Sequence, residues 1–225
     1  MVVRGVKMKK VLYSILILLT TIFMVGCTNN VKEENKETEA EHFSSLYEKV
    51  DKDNVYKRIS AKDAVDMVKE GTGILYLGFN TCPWCKQVVG VLNDAAKEKN
   101  ITSVYYIENF YNMRPDKNAN PENKEEYNEL LKLLDDILPY EKDENGNDTD
   151  KKVIRVPLIL FIQNGKIVSY HSGTYEGHEL KTKIDENGKE VKYLEDLTEE
   201  QKNQIKEELK QDIEKVYNKT CNTGC

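Results

Sequence analysis

Two cysteines separated by two residues, Cys82-Pro83-Trp84-Cys85, are the arrangement in this 225-residue chain best suited to chemistry. Placed one helical turn apart, their sulfurs can close or open a disulfide, with a thiolate as the nucleophile. If the motif opens a helix, the free N–H groups and positive dipole end of the first turn stabilise a thiolate on Cys82. Pro83 suits that turn, where its missing N–H costs nothing. Cys82 is then the attacking thiol and Cys85, facing inward, the resolving thiol. The competing readings are an inert structural disulfide and half of a zinc site. Cys221 and Cys225 form a second pair at the end of the chain. They are either a staple, which adds little stability over so short a loop, or a second redox pair that exchanges with the first or with a partner. All four thiols together are the right ligand types for zinc, but a CxxC that opens a helix after a core strand is not a zinc knuckle. Neither a metal nor an organic cofactor is implied.

The elements that must position the motif are legible around it. Residues 74–79 (ILYLGF) are a continuous apolar run of strand length, suited to a central strand buried on both faces. The motif follows, and then a helix to about Lys99 whose wide apolar face includes Val88, Val89, Leu92 and Ala96. Upstream, a short helix over residues 43–50 and a strand over 55–59 precede a helix that starts on the capping-box pattern Ser60–Asp63. Downstream, residues 101–107 (ITSVYYI) read as a strand.

Residues 108–152 break the rhythm. Residues 108–121 are polar and loop-like apart from Phe110 and Tyr111. Residues 122–138 carry Tyr127, Leu130, Leu131, Leu134 and Ile137 at helical spacing, and 140–152 read as an acidic exposed loop. The apolar stretch 153–162, the turn Asn164-Gly165 and residues 166–171 form a hairpin. Residues 175–195 read as irregular, with a second turn at Asn187-Gly188. Residues 198–218 form a last helix with Ile205, Leu209, Ile213 and Val216 on one stripe. The order predicts an α/β fold with a mixed central sheet, parallel in its first part and antiparallel in the hairpin, flanked by helices.

The start of the chain is an address. Arg4, Lys7, Lys9 and Lys10 precede a 15-residue apolar stretch, 11–25, which is short for a membrane span and right for a signal-peptide core. It ends Met24-Val25-Gly26-Cys27, which resembles the lipobox of bacterial lipoproteins and implies cleavage after residue 26, with lipid attached to Cys27. Residues 27–42 then read as the lipidated cysteine and a flexible tether. This places the protein outside the cytoplasmic membrane, anchored to the bilayer through Cys27, in a compartment where disulfides persist. A net charge of −6, with 33 basic against 39 acidic residues and no basic block, argues against a nucleic-acid partner.

The apolar strand leading into Thr81-Cys-Pro-Trp-Cys85, together with Ile154-Arg-Val-Pro-Leu-Ile-Leu-Phe-Ile-Gln-Asn-Gly165, resembles the thioredoxin superfamily over residues 53–107 and 153–218. The resemblance implies a thioredoxin fold over 43–220, with a helical insertion at 108–152 before the strand that follows a cis Val156–Pro157 bond. It also implies that Val156 and Pro157 lie beside the cysteines and position an extended substrate. The lipobox, the insertion and the C-terminal tail 221–225 look like the bacteriocin transport accessory group of thioredoxin-like proteins. Many thioredoxins carry a buried acid six residues before the first cysteine. That position is Tyr76 here, so the proton acceptor for Cys85 stays open. Some exported relatives deliver copper with a CxxxC and a distant His, but there the CxxxC replaces the site motif.

Trp84 would contact substrate or pack over the helix start. His42, His171 and His178 read as solvated or hairpin residues, Arg155 as an edge residue, and the acidic loop as a solvated face. The reading is an extracytoplasmic thiol–disulfide oxidoreductase acting on cysteines of exported proteins or peptides, reset by a membrane redox partner. The alternative is a non-catalytic thioredoxin-like module of an export system, its cysteines locked as a staple. The chemistry requires a reachable Cys82 sulfur close to Pro157.

Overall fold

The computed structural model describes residues 37–115 and 117–217. The expected signal segment, Cys27, most of the tether, and Cys221 and Cys225 lie outside the described residues. Among the described residues, no helix is long and apolar enough to cross a membrane.

The chain runs α1 (Glu39–Leu46), β1 (Tyr56–Arg58), α2 (Ala61–Glu70), β2 (Gly73–Leu77), α3 (Pro83–Glu98), β3 (Val104–Tyr106), α4 (Phe110–Met113) and α5 (Lys124–Leu133). It continues β4 (Tyr140–Lys142), β5 (Asp148–Lys152), β6 (Leu158–Gln163), β7 (Lys166–Ser172), β8 (Lys181–Ile184), β9 (Glu190–Tyr193) and α6 (Glu199–Tyr217). Five strands form one sheet in the order β1-β3-β2-β6-β7. β3 pairs parallel with both β1 and β2, whereas β2–β6 and β6–β7 are antiparallel. The fold is therefore α/β with a mixed central sheet and flanking helices, as the order of elements predicts.

β2 shows why its sequence is apolar without interruption. Successive side chains of a strand point to opposite faces. Ile74 and Tyr76 enter the core formed with α1, α3 and α6, while Leu75 and Leu77 enter the core formed with α2, α4 and α5. Helices cover both faces, so no position of the strand can be polar without a partner. α2 starts on the expected capping box: the Ser60 hydroxyl accepts from the Asp63 N–H, and the Asp63 carboxylate accepts from the Ser60 N–H. The Ser60 hydroxyl also donates to that carboxylate at 2.6 Å, and this bond, followed by that from the Ser60 N–H, holds the Asp63 carboxyl below its usual value. The β6–β7 turn has Asn164 and Gly165 at φ 49° and 71°, the primed-turn geometry that matches strand twist. A Cβ on Gly165 would lie 2.0 Å from the Lys69 carbonyl oxygen, so glycine is required there for space as well.

Four expectations need correction. Thr38 and Glu41 form a reciprocal capping box, so α1 begins at Glu39, and residues expected in the tether belong to it. Residues 110–113 are a helical turn that buries Phe110 and Met113. Residues 140–152 form the β4–β5 hairpin, and residues 181–193 the β8–β9 hairpin, where loops were expected. Both hairpins are mostly exposed and rich in charge, so they lack the period-two apolar pattern that marks a strand facing a core.

Candidate active site

β2 ends at Leu77, and four residues carry the chain to Cys82, whose N–H donates to the Phe79 carbonyl at 3.1 Å. Cys82 is the N-cap of α3, Pro83 stands in the first turn, and the Cys82 carbonyl accepts the first helical bond from Lys86 at 3.2 Å. In place of a capping hydroxyl, the Cys82 Sγ accepts the Cys85 N–H at 3.3 Å. The helix thus points an orphan donor at the sulfur, as the sequence implies.

On its other side, the Cys82 thiol faces the carbonyl oxygen of Val156 at 3.8 Å. The Val156–Pro157 bond is cis, and the Pro157 carbonyl accepts the Gly173 N–H at 2.9 Å. The structure therefore brings together Cys82, Cys85, Val156 and Pro157, residues expected to meet although the two motifs lie about seventy positions apart in the chain. Cys82 and Cys85 are free thiols here.

The two sulfurs are held in different states. Hydrogen bonding to the Cys85 thiol, the N–H groups of Cys85 and Trp84, and the positive charge of Arg114 lower the Cys82 thiol against the opposing effect of burial. Burial raises the Cys85 thiol, and the neighbouring Cys82 raises it further. One sulfur is thus poised to ionise and the other to stay protonated, the asymmetry needed for attack followed by resolution. Cys82 keeps only 5% of its surface exposed and Cys85 none, less than the reachable sulfur that the sequence reading requires.

Trp84 is half-buried. Its indole N–H donates to the His178 carbonyl oxygen at 2.7 Å. His178, expected to be a solvated or hairpin residue, is buried. Its Nε2 lies 2.8 Å from the Glu195 carbonyl and its Nδ1 2.7 Å from the Thr174 hydroxyl. Because a carbonyl can only accept, Nε2 carries the proton, and in the neutral ring Nδ1 accepts from Thr174. His42 is also engaged: its Nε2 is 3.0 Å from Glu108, which Arg58 pairs as well. His171 sits on β7 with a buried Nε2 that lacks a hydrogen-bond partner among the described residues. Arg155 donates to the Tyr140 carbonyl at 3.0 Å and so ties β4 to the chain before Pro157. The acidic loop turns on Asp143, whose carboxylate accepts the N–H groups of Asn145 and Asn147 within the chain.

Three residues at the site were not identified from the sequence. Arg114 is only 7% exposed, with its guanidinium carbon 5.9 Å from the Phe79 ring centroid. Phe79 in turn meets Tyr111 edge-on at 4.9 Å. His178 and Tyr47 are the others, and Tyr47 places its hydroxyl 3.0 Å from that of Tyr76. No local signal marks Arg114 in its polar stretch, because composition alone cannot show which charge folds inward.

No protein-family model matches the chain, and a search of the curated proteins finds no match.

Proposed function

We propose that this chain is a thiol–disulfide oxidoreductase of thioredoxin fold, anchored by lipid at Cys27 outside the cytoplasmic membrane. The observation that carries the reading is the environment of the Cys82 sulfur: a helix N–H at 3.3 Å on one side and the carbonyl preceding a cis proline at 3.8 Å on the other. An ionised Cys82 attacks a substrate disulfide, forming a Cys82–substrate bond and releasing the other substrate sulfur as a thiolate. Cys85 then loses its proton and attacks the Cys82 sulfur. The Cys82–Cys85 bond forms, the mixed disulfide breaks, and its electron pair leaves on the substrate sulfur. The substrate disulfide is reduced as the pair is oxidised, and every step is reversible.

Substrates of this reading are exported proteins or peptides with cysteines, which lie extended past Val156 and pair with its backbone. A membrane redox protein resets the pair. What supports the fold reading is the placement of the CxxC at the start of the helix after β2, with the cis proline before the antiparallel neighbour of β2.

The test uses the full chain with Cys27, Cys221 and Cys225 changed to Ser, incubated with an oxidised disulfide peptide. Cys85→Ser should trap one peptide on Cys82, visible by mass, and Cys82→Ser should trap none. A chain that forms neither the trapped species nor a Cys82–Cys85 disulfide contradicts the reading. The lipid is tested separately, by the mass of the N-terminal peptide from cells and its change in Cys27→Ser.

A further inference from the structure

In the exchange proposed above, a substrate disulfide must meet the Cys82 sulfur in line, yet Cys82 is buried. Some element has to give way. Two walls of the sulfur are fixed: α3 buries Cys85, Val88 and Val89 in the core, and the chain through Val156 and Pro157 runs between Ile154 and Leu158, both buried. The connection from β7 to α6 is different, because it crosses the motif from one side to the other. The Gly173 N–H donates to the Pro157 carbonyl, and the His178 carbonyl accepts the indole N–H of Trp84, between the two cysteines. The Leu197 N–H then donates to the Gln87 side chain at 3.3 Å, about one turn further along α3.

Between those ends the segment is tied mainly to itself. The His178 ring is held by Thr174 and by the Glu195 carbonyl, Lys181 pairs with Glu195, and β8 pairs with β9. Among the described residues, the Trp84–His178 bond is the only hydrogen bond by which residues 175–195 reach α3 or the central sheet. Most of these residues are exposed, so little apolar contact adds to that bond. Gly173 and Gly177 flank the bound turn at φ 76° and 83°, with open space where a side chain would stand, and can absorb a change of direction.

We propose that residues 174–195 form a lid over the Cys82–Cys85 motif, latched by the Trp84 indole, which opens as one body when a substrate disulfide is captured. The lid rests on exchange at Cys82. A mixed disulfide adds a sulfur and a carbon beside the Cys82 sulfur, where the closed form leaves almost no free surface. The captured species therefore draws the population to the open form. When Cys85 resolves it, the substrate sulfur leaves and the latch forms again. The lid favours partners whose binding offsets the lost Trp84 bond, such as an extended peptide paired at Val156. Small thiols and small disulfides bring no such contact and are held off.

The experiment uses the full chain with Cys27, Cys221 and Cys225 changed to Ser. Trp84→Phe keeps an aromatic ring and removes the latch donor. It should raise the rates at which Cys82 reacts with glutathione disulfide and with iodoacetamide about fivefold, the factor expected for one net hydrogen bond. The pH midpoint of alkylation should stay where the parent has it. Thr174→Val, which frees one side of the His178 ring, should raise both rates as well. A second measurement needs no latch variant and decides the matter if Trp84→Phe fails to fold. In Cys85→Ser with one peptide trapped on Cys82, amide exchange in residues 174–195 should rise above that of the peptide-free chain, while residues 158–163 stay protected. A folded Trp84→Phe that reacts at the parent's rate, or a trapped complex whose exchange in 174–195 is unchanged or lower, overturns the lid while leaving exchange intact. A Cys82 that traps no peptide overturns both.

Discussion

The indole N–H of Trp84 donates to the carbonyl oxygen of His178 at 2.7 Å and so fastens the segment between β7 and α6 to the centre of the CxxC motif. His178 is itself pinned by Thr174 and the Glu195 carbonyl, and its ring stacks on Tyr175 at 4.7 Å between centroids. The β8–β9 hairpin hangs between these ties. His178→Ala removes two buried hydrogen bonds and a packed ring. It should destabilise the protein by about 2 to 3 kcal/mol in denaturant titration. Amide exchange in residues 174–195 should rise more than in the central sheet.

Gly78→Ala tests how tightly the Tyr76 hydroxyl is held. The added methyl would meet the hydroxyl at 2.1 Å and the adjoining ring carbon at 2.4 Å, and the ring is enclosed, so it cannot swing out freely. A cost of about 1 to 3 kcal/mol is expected from overpacking. Thermal melts of the variant and the parent measure that cost.

Four tyrosines, Tyr47, Tyr56, Tyr76 and Tyr106, have hydroxyls whose ionisation is raised above the usual value, chiefly by burial. A raised group contributes stability that is complete below its unfolded value, about pH 10 for tyrosine, and is lost as pH climbs toward the folded value. Each should remove about 1.4 kcal/mol per pH unit above pH 10. Cys85, also raised, adds a shallower decline from about pH 8.5. Stability measured by denaturant across pH 8 to 12 should fall slowly and then steeply, with the tyrosinate absorbance of these four residues appearing only as the protein unfolds.

Arg114 lowers the Cys82 thiol by charge rather than by contact with its sulfur. Arg114→Met keeps an unbranched chain against Phe79 and removes the charge. The pH profile of Cys82 alkylation should then move upward, and its rate at pH 7 should fall. High salt should affect the variant less than the parent. A profile indistinguishable from the parent's would show that the charge is without influence at the sulfur.

The legible parts of the molecule were those where local sequence and burial agree. The run Ile74–Leu77 could only be buried on two sides, Asn164-Gly165 could only be a tight turn, and Cys82-Pro83-Trp84-Cys85 carried both its chemistry and the start of α3. The hairpins β4–β5 and β8–β9 were illegible because backbone pairing holds them with little apolar burial, which leaves no periodic signal. Arg114 and His178 were missed for a different reason. Each is polar, and each turns inward because a partner far along the chain receives it, a fact no local window contains. Tyr76 was marked in the sequence as the residue standing where an acid was expected. The hydroxyl of Tyr47 beside it was not, since α1 reaches that position only through the tertiary fold.

The state of the Cys82 sulfur is measured most directly by its alkylation rate with iodoacetamide from pH 4 to 10, in the full chain with Cys27, Cys221 and Cys225 changed to Ser. Cys85, enclosed and protonated, stays silent over most of that range. Half-maximal reactivity should fall below the ordinary thiol value of about 8.5, and modification should map to Cys82 alone. A midpoint at or above 8.5 in the folded protein would contradict the account.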